Sequence, residues 1–543
     1  MKEIAFNLLE EPWIRVLRPD CRVEEVSLRQ VLLQAQAYSD LAGELPTQDV
    51  AVLRLLLAVL HGVFGRVNAQ GQPVEISNIS SAVRQWRSLW ELGRFPEQPI
   101  LDYLEQWHDR FWLFHPKRPF WQVPEAEIGT KYTSAKLNGE LLESGNKLRL
   151  FPAYAGTGKT ELTYAQAARW LLYINGFDDT SSKPKGTGLP SVGAGWLGKL
   201  GLIQAVGNNL FETLLMNLTL LQDASKAWGE EKPCWELDQP RSGERIEISQ
   251  PDNPAALFTL QSRRLLLHRN GDRVIGYALL GGDFFEKTNA FCEQMTIWRT
   301  TQEKKDAPFI YLPKRHDPSR QFWREFPTIF TERSSADTPI HTPGIVRWMT
   351  LLQNPTQHCL SSKTLVRFRV TGVEYGDKDF FVTDTFQDEL SFHISLLDEI
   401  GRAWRNIIKG EIHRCEQFAD ALGKLARDLA QAAGAGEKDV SQSAKEQFYF
   451  RIDQPFRQWL YSIDPDWDED ETDASLAAWR EQSRKIAYAL GHQLVEEAGP
   501  TAFVGRMMKE KIGKKEVEYR CAAPIASNKF AYRISIIEKK GGT

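Results

Sequence analysis

The sequence predicts an α+β protein: a large mixed body of short strands and helices over residues 1–388, then a C-terminal four-helix bundle over 389–543. Three observations carry this. The chain has 543 residues, beyond the size at which one core stops growing, so two or more domains are expected. Up to about residue 388, strand-like runs alternate with helical ones. Beyond about 390 the strand signals vanish, and helical periods fill roughly 390–432, 440–462, 473–497 and 500–511.

Residues 1–30 read as short strands, with Trp13-Ile14-Arg15-Val16 following a proline. Residues 48–66 are apolar almost throughout and read as a buried helix, with Asp49 as its cap. Helical patterns recur at 79–92, 99–111, 161–174 and 207–222. The proline-broken aromatic segment Phe111–Gln122 reads as irregular but packed. The stretch Gly176–Gly201 holds seven glycines and reads as an adaptable loop. Val366–Val370 and Phe380–Asp384 read as two strands joined by a turn at Tyr375–Lys378. The bundle helices are linked by Gly434–Lys438 and by the acidic, solvated run Asp464–Asp473, and the domain boundary falls between Gln387 and Ser391.

Composition narrows the function classes. Hydrophobic residues make up 42% and charged residues 25%, both ordinary for a globular chain. The net charge of −4 is unlike a free-standing nucleic-acid binder, so any such contact is local or shared with a partner. Six cysteines lie far apart without a C-x-x-C pair, which reads as reduced, buried thiols of a cytosolic protein. No apolar run reaches the length of a membrane span, and Met1–Ala5 lacks a signal-peptide core. Seventeen tryptophans fit a large core or an assembly subunit.

One motif suggests an enzyme. Ala153–Thr160 is close to G-x-x-x-x-G-K-[ST] and precedes a helix, so the alternative reading is a P-loop nucleotide-hydrolysing enzyme. Ala153 replaces the first glycine, Lys147–Phe151 is a poor buried strand, and the apolar run ending in Asp384 lies in an expected hairpin. A chance match is favoured. There is no H-E-x-x-H or G-x-S-x-G, and the acidic run lacks an EF-hand's glycine. His115, among aromatics, reads as a packed residue. No catalytic residue, metal site or cofactor is assigned. Small basic groups could meet phosphates: Lys183 and Lys185, Lys314–His316 with Arg320, Arg367 and Arg369, Arg402, Arg405, Lys409 and Arg414, and Lys509–Lys515. Each is more often solvated surface. A metabolic scaffold unrelated to nucleic acid is the third reading.

Two segments carry a resemblance. Asn7-Leu-Leu-Glu-Glu-Pro-Trp-Ile-Arg-Val16 and His115-Pro-Lys-Arg-Pro-Phe-Trp-Gln122 resemble the CasA family, the large subunit of type I-E CRISPR Cascade complexes. The architecture agrees over nearly the whole chain. The resemblance implies a cytoplasmic, non-catalytic subunit of a crRNA-guided complex. It would read the PAM of double-stranded DNA, help open the duplex toward an R-loop, and help recruit a helicase-nuclease. The implied partners are the CasB, CasC, CasD and CasE subunits and crRNA, with no membrane.

The implied site residues follow piece by piece. Phe151 matches the phenylalanine of a loop near the crRNA 5′ end and PAM, with Lys159 in the same loop and Ala153 where the family has asparagine. Gly176-Phe177-Asp178-Asp179 matches the family's glycine loop. Its two acids would repel phosphate, which shifts the contact toward Lys183–Gly188. Lys287, after Glu286, matches a lysine finger that donates to base edges in the minor groove. Gly376-Asp377-Lys378 matches a wedge turn, without the glutamine found in one member.

Overall fold

The computed structural model describes residues 3–138, 154–180, 188–222, 226–304, 307–330, 341–354, 359–361, 363–398, 401–436, 438–464, 466–512 and 515–540. Two compact units emerge. The first comprises residues 1–320, 328–361 and 366–389; the second comprises 321–327, 362–365 and 390–543. The last crossing between the units, after Glu389, falls in the Gln387–Ser391 window where a boundary was expected, and it lies within the strand Val382–His393. The chain crosses between the units after Arg320, Pro327, Ser361, Leu365 and Glu389, so they are not joined by a single link.

The first unit is organised around the helix Pro46–Phe64, which is buried along nearly its whole length. This helix is apolar enough to cross a membrane, but its apolar window is 94% buried in the body, which makes it a core helix. Asp49 does not cap it. Leu45 occupies the cap position, and Asp49 Oδ1 instead accepts the Gly43 N–H at 2.7 Å. Midway along, Arg54 meets Glu293 in a two-pronged ion pair at 2.8 and 2.9 Å, both side chains being fully buried. Desolvating two charges is tolerable here because Glu293 also accepts from Trp196 Nε1 at 2.8 Å, and Arg54 lies over the Phe258 ring.

The opening segment is a structural anchor. Asn7 Oδ1 accepts the Leu9 N–H, Trp13 Nε1 donates to the Leu8 carbonyl, and Trp13 is fully buried. The strand Ile14–Leu17 lies between Val23–Val26 and Asp40–Leu41. Arg169, on the helix Tyr164–Phe177, reaches this layer. It donates to the Trp13 carbonyl, Glu25 and Glu44, so the opening segment positions that helix. In the His115–Gln122 segment, Pro116 and Lys117 are exposed and Pro119–Gln122 are buried. His115 Nδ1 accepts the Lys117 and Arg118 N–H groups, and buried Gln122 bridges the Leu113 carbonyl to the Leu267 N–H.

The second unit holds four long helices: Arg402–Ala433, Val440–Ser462, Glu469–Glu497 and Ala523–Lys540. The fourth differs from the 500–511 helix the sequence suggests. Only Gly499–Val504 is helical there, and Arg506–Ile512 pairs with Lys515–Cys521 as an antiparallel hairpin. The mixed polar and apolar pattern from Arg506 onward suits a hairpin as well as a helix, so periodicity misassigned it. The acidic run, expected as a solvated inter-helix loop, begins a helix from Glu469 onward. Asp468 caps Glu469–Glu497 with a capping box to Glu471, and three acids in the first turn favour the positive end of the helix dipole. The unit's core stacks Trp459 on Trp479 and Trp323 on Phe456. Trp323 belongs to 321–327, a piece that a boundary at residue 388 assigns to the body.

Candidate nucleic-acid interface

The expected hairpin is present, its turn and most of both strands in the first unit, and it is longer than its sequence signal. Leu365–Tyr375 lies between Val382–His393 and the strand Leu202–Val206, in register from Arg367 opposite Val206 to Thr371 opposite Leu202. Asp377–Asp379 closes it as a short 3₁₀ turn, with Lys378 and Asp379 both in the left-handed region. Asp377 and Lys378 are exposed.

This tip is held in place rather than swinging free. Arg315 forks onto both Asp379 oxygens at 2.8 and 2.9 Å, donates from Nε to the Gly198 carbonyl, and lies over the Tyr375 ring. Tyr375 donates its hydroxyl to the Phe177 carbonyl at 2.7 Å, and Thr180 donates to the Asp379 and Lys378 carbonyls. Burial raises the Tyr375 phenol well above its ordinary value, so it stays a donor. The structure therefore brings together the 176–180 and 376–379 segments, which are about 200 residues apart in sequence.

Gly176 and Phe177 are not the exposed loop the sequence suggested. They end the helix Tyr164–Phe177 and are buried, Phe177 fully. The glycine serves packing: a Cβ at Gly176 would lie 2.5 Å from Leu197, and one at Gly195 would lie 2.3 Å from the Gly176 carbonyl. The expected repulsion from Asp178 and Asp179 is also removed. Both are buried and charge-paired, Asp178 with Arg263 and Asp179 with Lys136 at 2.6 Å. Lys183, Lys185, Phe151 and Ala153 lie outside the described residues.

Lys287 is exposed on the turn 286–288. Gln250 Nε2 donates to the Glu286 and Thr288 carbonyls and fixes the turn. Thr288 donates its hydroxyl and N–H to the Glu286 carboxylate, and these bonds, with a smaller contribution from the Lys287 field, lower that group's pKa. Lys159 is half-buried in the 3₁₀ turn Gly156–Lys159. This is not P-loop geometry. The following helix begins only at Tyr164, its first N–H groups are met by a Thr163–Gln166 capping box, and Leu162 pairs with Val274 in between. The Lys159 turn instead adjoins a cavity of about 450 Å³ lined by residues including Lys136, Tyr154, Trp170, Phe177 and Asp179.

Several other basic candidates are committed internally. Arg369 pairs with Asp40 and Glu389, Arg367 donates to the Gly207 carbonyl, and His316 is buried against the Leu202 carbonyl. In the second unit Arg405 and Arg414 are buried, and Lys509 faces Glu518. Cys292, Cys415 and Cys521 are buried, whereas Cys21 is exposed.

Sequence reasoning missed the segment 188–201 as an ordered element. Arg263 holds it by donating to the Gly193 carbonyl at 2.8 Å, and the Gly195 N–H donates to the Asp178 carbonyl at 2.9 Å. Lys199 follows in a short 3₁₀ turn. Burial, then the fields of Arg263, Lys287, Arg245 and Arg315, push its ammonium down to about 8. The available signal was the lysine placed just after Gly193, Gly195 and Gly198, glycines that allow close backbone approach.

Fold and site together define a two-unit α+β protein whose body carries a latched hairpin beside a lysine-bearing turn and an ordered glycine segment. The chain belongs to the CRISPR-associated protein Cse1 family, whose model matches residues 7–490. CRISPR-associated protein CasA/Cse1 of Thermus thermophilus is 28% identical over 541 residues, covering 93% of this chain and 97% of the relative. The crystal structure of Thermobifida fusca Cse1 superposes with a TM-score of 0.81 at 30% identity, covering 99% and 98% of the two chains. A chain of a CRISPR RNA-guided surveillance complex shares the fold at TM-score 0.67 and 17% identity, covering 98% and 100%.

Proposed function

We propose that this chain is the non-catalytic large subunit of a cytoplasmic type I-E Cascade complex. It would assemble with CasB, CasC, CasD, CasE and crRNA and read the PAM of double-stranded target DNA. It would then aid duplex opening toward an R-loop and help recruit the helicase-nuclease. Family membership supports the assembly role. The observation that carries the DNA role is the convergence of the latched 376–379 turn with a set of cations from four separate segments: Lys199, Arg263, Lys287 and Arg315.

Lys287 would donate into a minor groove; its exposure on a turn fixed by Gln250 supports this reading. The Arg315–Asp379 fork and the Tyr375 hydroxyl would stiffen the turn, so that it intrudes into a duplex rather than bending away. Sequence beyond the PAM is left to base pairing with the guide. Phe151, Lys183 and Lys185 are proposed as further contacts on the residue matches alone. Gly176 and Phe177 take a supporting role: the Phe177 carbonyl accepts from the hairpin's tyrosine.

The test is binding of the reconstituted complex to duplexes with randomised PAM positions. Lys287→Ala is expected to weaken PAM-bearing duplexes by about 1–3 kcal/mol and PAM-lacking duplexes much less. Equal losses would reduce the lysine to general phosphate attraction. Micromolar binding of ATP–Mg²⁺ by the purified chain would overturn the non-catalytic reading in favour of the P-loop alternative.

A further inference from the structure

Lys199, Arg245 and Arg263 line one small crevice in the body, together with Val192, Trp196 and Phe284. Their charges are not equally spent. Arg263 is paired with Asp178. Arg245 stacks on Phe284 at 4.0 Å and donates to the Pro190 carbonyl at 2.7 Å and the Ser191 carbonyl at 3.4 Å, but it has no carboxylate partner among the described residues. Lys199 and Lys287 likewise form no ion pair there. Three carboxylates nearby are paired with other cations: Asp178 with Arg263, Asp283 with Arg264 and Arg241, and Asp379 with Arg315; Glu286 accepts from Thr288 and keeps its charge beside Lys287. Glu247 opposes the effect of burial and of the Arg263 field on Arg245, as the smallest of the three causes.

Lys199 and Arg245 thus line one crevice with no carboxylate paired to either among the described residues; Asp283, which also lines it, is paired with Arg264 and Arg241, and Lys287 adds a further positive field at Lys199. The spot is also left open. Gly193 is in the left-handed region, and a Cβ there would lie 3.7 Å from Lys199 Nζ, so the glycine leaves that side of the ammonium uncovered. The crevice volume is about 20 Å³, room for one oxygen-sized atom.

We propose that Lys199, flanked by Arg245 and Lys287, is a seat for one non-bridging oxygen of a duplex DNA backbone phosphate, and that Lys199 must carry its proton when the phosphate is seated. This rests on the DNA-binding reading above and names a backbone contact beside the base-reading lysine. The phosphate supplies the missing counter-charge and fixes the register of the duplex against Lys287 and the hairpin turn. With the free ammonium already pushed down to about 8, binding takes up a proton above that pH and weakens as pH rises.

The experiment measures duplex binding by the reconstituted complex at pH 7, 8 and 9 and across a salt series, with PAM-bearing and PAM-lacking DNA. The wild-type complex is expected to lose about fivefold in affinity from pH 8 to pH 9, the titration of one group near 8. Lys199→Met should flatten that pH response and lower the salt slope by about 0.9 on both duplexes. Lys199→Arg should keep the affinity without the pH response, which separates lost charge from lost folding. A Lys199→Met complex that matches wild type in pH response and salt slope overturns the seat, even if Lys287→Ala still abolishes PAM preference. A wild-type complex blind to the PAM, yet sensitive to Lys199→Met, leaves the seat standing and removes the PAM reading. A pH response in crRNA loading but not in duplex binding assigns the phosphate to RNA and overturns the duplex source.

Discussion

Arg54→Met removes the cation from a pair buried at the centre of the core helix. It breaks two hydrogen bonds, of 2.8 and 2.9 Å, and the contact over Phe258. Glu293 is then a carboxylate in a fully buried position, left with the Trp196 indole N–H at 2.8 Å and the Met295 N–H at 3.2 Å. Breaking one side of a buried pair costs about 3–5 kcal/mol, and the two remaining donors place this one near the lower end, at about 3 kcal/mol. In a body of this size that is roughly 4 °C in the melting temperature. Because Glu293 also holds Trp196, the segment bearing Gly193 and Lys199 should loosen as well. The assay is thermal unfolding with hydrogen exchange across 188–201. The double variant Arg54→Met with Glu293→Leu removes both charges and should recover most of the melting temperature. A single variant within about 1 °C of wild type, or a double variant worse than the single, would refute the buried-pair reasoning.

Other outcomes follow from the same structure. Asp379→Ala frees Arg315 and unlatches the hairpin. Because this pair is about one-third exposed, it should cost at most about 1 kcal/mol in stability, while R-loop formation slows more than duplex binding weakens; single-turnover strand-separation kinetics measure the split. Gly198→Ala would put a Cβ 2.0 Å from the Tyr375 hydroxyl, so the same kinetic defect should appear with Arg315 and Asp379 intact. Asp49 is pushed up to about 7, chiefly by burial, above its unfolded value. The folded state therefore holds the extra proton, and its stability falls as pH rises from about 4 to 7. Asp49→Asn should flatten that decline, as read from melting temperatures across the range, while still accepting the Gly43 N–H.

The hairpin was visible in sequence because its two β-rich runs flank a Gly-Asp-Lys turn, and local pattern is enough for a local element. Lys287 was found through its match to a family motif; nothing about a single exposed lysine distinguishes it. Asp178 and Asp179 were misjudged because their partners, Arg263 and Lys136, are respectively 85 and 43 residues away. Lys199 passed unnoticed for the same reason: what makes it unusual is the field of Arg263, Lys287, Arg245 and Arg315, none of them a sequence neighbour.

By itself the sequence determined the class. The length forced more than one unit, the apolar run at 48–66 forced a buried helix, and the helical periods beyond about 390 forced a bundle, because burial periodicity is a property of each segment alone. The opening Asn7–Val16 run marked the family. Tertiary structure decided what those marks do. Trp13 became the carbonyl anchor for Arg169, the last long helix moved to Ala523–Lys540, and the glycine-bearing segment 188–201 became an ordered wall. It also decided which charges are spent in pairs and which are left facing an open crevice. Coulomb interactions depend on distance in space, and only the folded chain sets those distances.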